Sequence, residues 1–88
     1  MRVICRFEFK VDVDSGLIES QIASAIRIAE YLFGQPRVRL NASYLTSRNK
    51  AAIDVTDEVG EHVAMIFTGF MTDKVGEDKF TMDRVKEE

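Results

Sequence analysis

Eighty-eight residues, 45% hydrophobic and 31% charged with one Pro and five Gly, predict one soluble globular domain over residues 1 to 88 and exclude a disordered or low-complexity chain. A lone Cys5 excludes an internal disulfide and a zinc site built on paired cysteines. The net charge of −3 is spread unevenly, with eight basic against five acidic residues in 1 to 50 and four against ten in 51 to 88. In one compact domain those halves are expected to neutralise each other rather than advertise a nucleic-acid partner.

The first predicted element is a strand over residues 3 to 13. Val3, Cys5, Phe7, Phe9, Val11 and Val13 alternate with Arg6, Glu8, Lys10 and Asp12, the period of a half-buried strand, and only Ile4 breaks the polar face. Asp14, Ser15 and Gly16 then supply helix-capping chemistry. Apolar residues at 18, 22, 25, 26, 29, 32 and 33 follow the helical period until Gly34 and Pro36 stop it.

Beyond Pro36 alternation returns, with Val38, Leu40, Ala42 and Tyr44 over residues 37 to 46, then Ala51, Ile53 and Val55 over residues 51 to 56. A turn with Arg48 and Asn49 at its tip sets Tyr44 opposite Ile53 and Ala42 opposite Val55, so the apolar faces coincide. Thr56-Asp57-Glu58-Val59-Gly60-Glu61 recurs as Thr72-Asp73-Lys74-Val75-Gly76-Glu77, and each copy reads as a turn: Asp bonds back to the following backbone and Gly accepts positive φ. Two such turns predict a meander in which residues 61 to 72 are a strand. Val55 then meets Val63, Ile53 meets Met65, and Ala51 meets Phe67.

The predicted fold class is α+β, one helix packed on a curved antiparallel sheet in the order β-α-β-β-β-β. That order resembles the cystatin-type architecture in element order alone, and the resemblance implies no residues or function. The alternative is a ferredoxin-like β-α-β-β-α-β order, because Val59, Val63, Ile66, Phe67 and Phe70 also satisfy a helical spacing over residues 57 to 72. Gly60, Gly69, Thr68 and the β-branched and aromatic content of the segment argue against that helix.

Chemistry is mostly eliminated. Cys5, between Val3 and Phe7 on the inward face, reads as a buried, inert thiol. His62 is the sole histidine and has no Cys or second His near it in sequence. Asp14 is explained as a cap and Asp57 as a turn former, and Asp12, Glu58 and Glu61 match no calcium loop. Neither phosphate-binding glycine pattern occurs, nor a serine elbow. No catalytic residue, cofactor or metal site is expected, and the chain is read as a non-enzymatic protein. No apolar run approaches the ~18 residues needed to span a bilayer, and the first residues lack a signal-peptide core, so a cytoplasmic location without a membrane partner is expected.

In the meander the last hairpin pairs Phe70 with Phe80, Thr68 with Met82 and Ile66 with Arg84. Ile66, Phe70, Phe80 and Met82 then form an apolar strip on the outer sheet face, which would need a partner, unless a bulge at Gly69 turns the later residues inward and leaves a self-contained monomer. The expected function is therefore that of a small interaction protein, binding a protein partner or itself as a homodimer through its sheet face or strand edges. One alternative is a nucleic-acid-binding accessory protein using an outward stripe of Arg2, Arg6, Arg37 and Arg39. Glu8, Asp12 and Asp54 interrupt that stripe, and Phe7 and Phe9 point inward instead of offering a stacking platform. A second alternative is a small inhibitor or adaptor of the kind mobile elements encode, with the acidic second half blocking a basic surface.

Overall fold

The computed structural model describes residues 1 to 87. Its elements run β1 (Arg2–Phe9), α1 (Ser15–Phe33), α2 (Gln35–Asn41), β2 (Tyr44–Ser47), β3 (Lys50–Asp54), α3 (Glu58–Lys74), a single 3₁₀ turn at Glu77–Lys79, and β4 (Phe80–Glu87). The strands form one antiparallel sheet in the order β2-β3-β1-β4 with the helices packed on it, so the α+β class and the antiparallel sheet both stand. Of the two element orders, the chain adopts the ferredoxin-like β-α-β-β-α-β, with the short α2 added after α1.

α1 starts and stops where its sequence says. The Asp14 side chain accepts a hydrogen bond from the Gly16 N–H at 2.9 Å, and Gly34 ends the helix at φ 88° while its N–H donates to the Glu30 carbonyl. Ile18, Ile22, Ala25 and Ala29 form the buried stripe. The β2–β3 hairpin turns at Arg48 and Asn49, with Asn49 in the left-handed region at φ 59°, and Tyr44 pairs with Ile53 as expected. Asn49 also ties down the loop after β1: its side-chain oxygen accepts from the Val13 N–H at 2.8 Å, and its amide donates to Asp12 at 3.2 Å.

The strand expected over residues 37 to 46 is a correction. Residues 35 to 41 are α2, with Pro36 inside its first turn, where a missing N–H costs nothing, and only residues 44 to 47 are extended. Val38 is fully buried while Leu40 is 86% exposed, which no shared strand face would allow.

The second correction concerns the repeat. Residues 61 to 72 lie within α3, so the four-strand meander and its pairings of Val55 with Val63, Ile53 with Met65 and Ala51 with Phe67 do not form. Instead the two copies begin and end one helix. In the first copy the Asp57 carboxylate caps α3 by accepting from the Val59 N–H at 2.9 Å. In the second, the Val75 N–H closes the last turn onto the Met71 carbonyl and Gly76, at φ 111°, turns the chain away. The Thr68 and Thr72 hydroxyls donate to the carbonyls of Ala64 and Thr68, which satisfies both groups inside the helix.

Gly60 explains itself by proximity. A Cβ at residue 60 would lie 1.9 Å from the Asp54 carbonyl oxygen, so only glycine lets the first turn of α3 cross the end of β3. This crossing lays Val59, Val63, Phe67 and Met71 on the sheet, where Phe67 meets Phe7 edge-on with ring centroids 4.9 Å apart. Phe80 joins the same core, 5.5 Å from Phe9. A single cluster unites the buried residues of all three helices with Cys5, Phe7, Phe9, Ala51 and Ile53, so every helix covers the same face of the sheet.

The two helical glycines of α3 should behave oppositely. Gly60→Ala is expected to lower stability by more than about 2 kcal/mol, because backbone rather than a flexible side chain must move. Gly69→Ala, with open space around the site, is expected to raise stability by about 0.5 to 1 kcal/mol. Urea unfolding of both variants checks the pair.

Candidate interaction surface

Alternation along the strands fixes what the uncovered face carries. The residues between the inward Cys5, Phe7 and Phe9 point the other way, and their cross-strand partners follow them. Across the sheet, Asp54, Ile4 and Val85 make one row; Leu45, Ala52, Arg6 and Asp83 the next; Ser47, Lys50, Glu8 and Thr81 a third; Arg2 and Glu87 pair at the end of β1. Two troughs cut this face, of about 480 and 300 Å³, and they share Arg6, Leu45 and Ala52. An apolar diagonal crosses the troughs, from Leu45, 77% exposed, through the half-buried Ala52 to the buried Ile4 and the half-buried Val85.

Its charges divide into committed and free. Arg2 donates to Asp54 at 3.3 Å and lies 4.0 Å from Glu87. Burial pushes the Asp54 carboxyl up, but hydrogen bonds from Thr56 and Arg2 outweigh it and hold the group below the usual carboxylate range. Among the described residues, Arg6, Glu8, Lys50 and Asp83 have no ion-pair partner within 4 Å, although Arg6 faces Asp83 and Glu8 faces Lys50 across the ladder.

The apolar residues singled out from the sequence lie elsewhere. Ile66 and Phe70 sit on α3, partly buried against the core and on the helix stripe of His62, whose ring meets Phe33 of α1 at 5.0 Å. Phe80 is buried, and Met82, opposite Phe7, is 47% exposed at the sheet's edge on the helix-covered side. The four do not form one strip on the outer face, because the residues that would have carried it there are helical. No bulge at Gly69 is involved, since Gly69 is also within α3.

The arginine stripe is likewise divided. Arg2 and Arg6 are on the outer sheet face, while Arg37 and Arg39 are on α2. Arg37 spans 3.6 Å to Glu58 and 3.9 Å to Asp57, and its guanidinium lies 4.9 Å over the Phe33 ring, so it fastens α2 to the start of α3. Acidic groups of the second half therefore pair with arginines of the first at two places, Asp54 and Glu87 with Arg2, and Asp57 and Glu58 with Arg37. No aromatic side chain occupies the outward strand positions, so base stacking has no platform there.

One further cluster lies on the helix side. Arg84, opposite Cys5 on β4, grips the Glu61 carboxylate of α3 through both guanidinium nitrogens, one of them at 3.3 Å. Hydrogen bonding from Arg84 holds Glu61 below its ordinary value against the burial that opposes it, and Glu61 in turn raises Arg84. Beneath them Cys5 is 1% exposed, and burial pushes its thiol up more than Arg84 pulls it down. The sequence missed this clamp because it set β4 beside residues 61 to 72. In that pairing Arg84 stood opposite Ile66 on the outer face, where an arginine calls for no carboxylate, so no sequence signal pointed to the clamp. Among the described residues, no group of three or more His, Cys, Asp or Glu side chains has the geometry to hold a metal, and no helix is long and apolar enough to cross a membrane. Compared with protein-family models, curated proteins and solved structures, the chain matches none.

Because Glu61 is lowered in the fold, its contribution to stability is complete above its ordinary value of 4.5 and is lost as pH falls through the depressed one. Glu61→Gln should therefore be less stable than the parent at neutral pH, and the gap should shrink as urea midpoints are followed below pH 4.5. Cys5 should resist a disulfide reagent in the native protein and react fully once the chain is unfolded; rapid native labelling would contradict its burial.

Proposed function

We propose that this protein is a small non-enzymatic interaction module that self-associates through the sheet face opposite its helices. The observation that carries the reading is the apolar diagonal of Leu45, Ala52, Ile4 and Val85, with Leu45 exposed at one end, crossing all four strands of an otherwise polar and charged face. A solvated sheet face is mostly polar, and an apolar line that crosses every strand and ends in a large exposed leucine supports a contact surface.

The charges on this face support a second copy over a strongly charged partner. Three bases, Arg2, Arg6 and Lys50, stand among four acids, Glu8, Asp54, Asp83 and Glu87, so the face presents both signs in near balance. Such a mixture attracts neither a polyanion nor a polycation at long range, but it meets its own pattern without net repulsion. The nucleophile-like groups have structural duties: the Cys5 thiol is in the core, and the His62 ring is hydrogen-bonded to the Glu58 carbonyl at 3.0 Å.

Sedimentation velocity from about 1 to about 100 μM tests the reading, with reversible growth in average mass as the expected result. Val85→Asp, on the outer face and away from the core, should reduce that growth without altering the far-ultraviolet spectrum. A chain that stays monomeric over the whole range overturns self-association.

A further inference from the structure

We infer that two copies meet with their outer sheet faces together about a two-fold axis running parallel to β1 and β4 and midway between them. The inference rests on the self-association reading above and narrows its contact to β1 and β4, which keeps Ile4 and Val85 of the apolar diagonal inside and leaves Leu45 and Ala52 beside it. It follows from the ladder register. On the outer face β1 and β4 pair Arg2 with Glu87, Ile4 with Val85, Arg6 with Asp83 and Glu8 with Thr81. A two-fold axis lying along the line between two strands carries each residue onto the position of its own cross-strand neighbour. In the facing copy, Arg2 is thereby set over Glu87, Arg6 over Asp83, Ile4 over Val85, and Glu8 over Thr81. Each relation occurs twice by symmetry, giving four opposite-charge pairings around an apolar centre.

The two neighbouring strand-parallel axes do not reproduce this match. An axis along β1 itself lays Arg2 on Arg2 and Arg6 on Arg6 of the second copy. An axis between β1 and β3 sets Ile4 over Asp54 and Leu45 over Asp83, and keeps one opposite-charge relation, Glu8 with Lys50. Like charges at a closed contact and apolar groups against carboxylates are both unfavourable, so the β1/β4 axis is favoured over these two by complementarity.

The free charges support the same geometry. Arg6 and Asp83 are exposed and face each other in one chain without forming an ion pair. Facing sheets pack about 10 Å apart, a gap that an arginine and a carboxylate side chain can bridge from opposite sides. Because only two strands of each copy lie over one another, the contact is small and the association weak and transient.

The test exchanges charges between chains. Arg6→Asp carries two acids at positions 6 and 83, and Asp83→Arg carries two bases, so each variant alone sets like charges face to face at both symmetric sites. Each should associate at least about ten-fold more weakly than the parent. An equimolar mixture restores both pairings, and its heterodimer should return to within a few-fold of the parent affinity, read by sedimentation velocity and by native mass spectrometry with one variant isotopically labelled. Loss of folding cannot produce rescue on mixing, and circular dichroism of each variant alone, with Arg6→Glu and Asp83→Lys as a second pair, guards against it. A mixture no tighter than its components, while the parent associates and Val85→Asp weakens it, overturns this axis and leaves the sheet-face reading standing. A monomeric parent overturns both.

Discussion

Helix α3 reaches the sheet only because residue 60 has no side chain. The link from β3 is three residues long, Val55 to Asp57, so the first turn of α3 must rise directly over the strand it has just left. With the Asp54 carbonyl 1.9 Å from where a Cβ would stand, any larger residue would push the helix off its seat. Once seated, α3 directs Phe67 into Phe7 and returns the chain at Gly76 so that β4 runs back beside β1. The Asp57 cap and the Val3 N–H, which donates to the Thr56 hydroxyl at 2.8 Å, fix the same corner from both sides. The order of the sheet, and with it the content of the outer face, depends on this one crossing.

Putting every helix on one side has an energetic consequence. A chain this small buries a limited share of its surface, and the core here is completed by Phe7, Phe67, Phe9 and Phe80 between the sheet and a single helical layer. Nothing remains in the described residues to cover the other side. The chain fills that side with cross-strand charges, which are weak when exposed and add little to folding. Their effect is positional: an antiparallel ladder holds each side chain at a set place relative to the rest, so the charges form a fixed pattern along two strands.

Much of the fold was legible, and the illegible parts have physical reasons. The Asp14 cap, the apolar spacing of α1 and the stop at Gly34 describe an element of nineteen residues, long enough for the helical period to be unmistakable. The inward set of Cys5, Phe7 and Phe9 and the Arg48–Asn49 hairpin were equally readable. Residues 35 to 41 were not, because over seven residues a period of two and a period of 3.6 fit a few apolar positions equally well. For α3, Gly60 and Gly69 counted as two votes against a helix by intrinsic propensity, yet Gly60 is there for close approach and Gly69 is exposed on a helix whose other face is well packed.

The repeated six residues show why local chemistry alone could not decide. Asp followed by Val and Gly is suited to any place where the backbone changes direction, and a helix changes direction at both ends. Read as two turns, the copies place a strand between them; read as a start and a stop, they place a helix. The difference lies in what each glycine does: Gly76 adopts positive φ and Gly60 does not, a distinction of geometry that the letter G does not carry. The outer face inherits this ambiguity. Arg2, Arg6 and Glu8 were visible as its β1 half, but their counterparts Glu87, Asp83 and Thr81 become neighbours only when residues 58 to 74 coil and release β4 to pair with β1. Complementarity between two strands is thus a property of the topology, and it emerges one level above the sequence signals from which it is built.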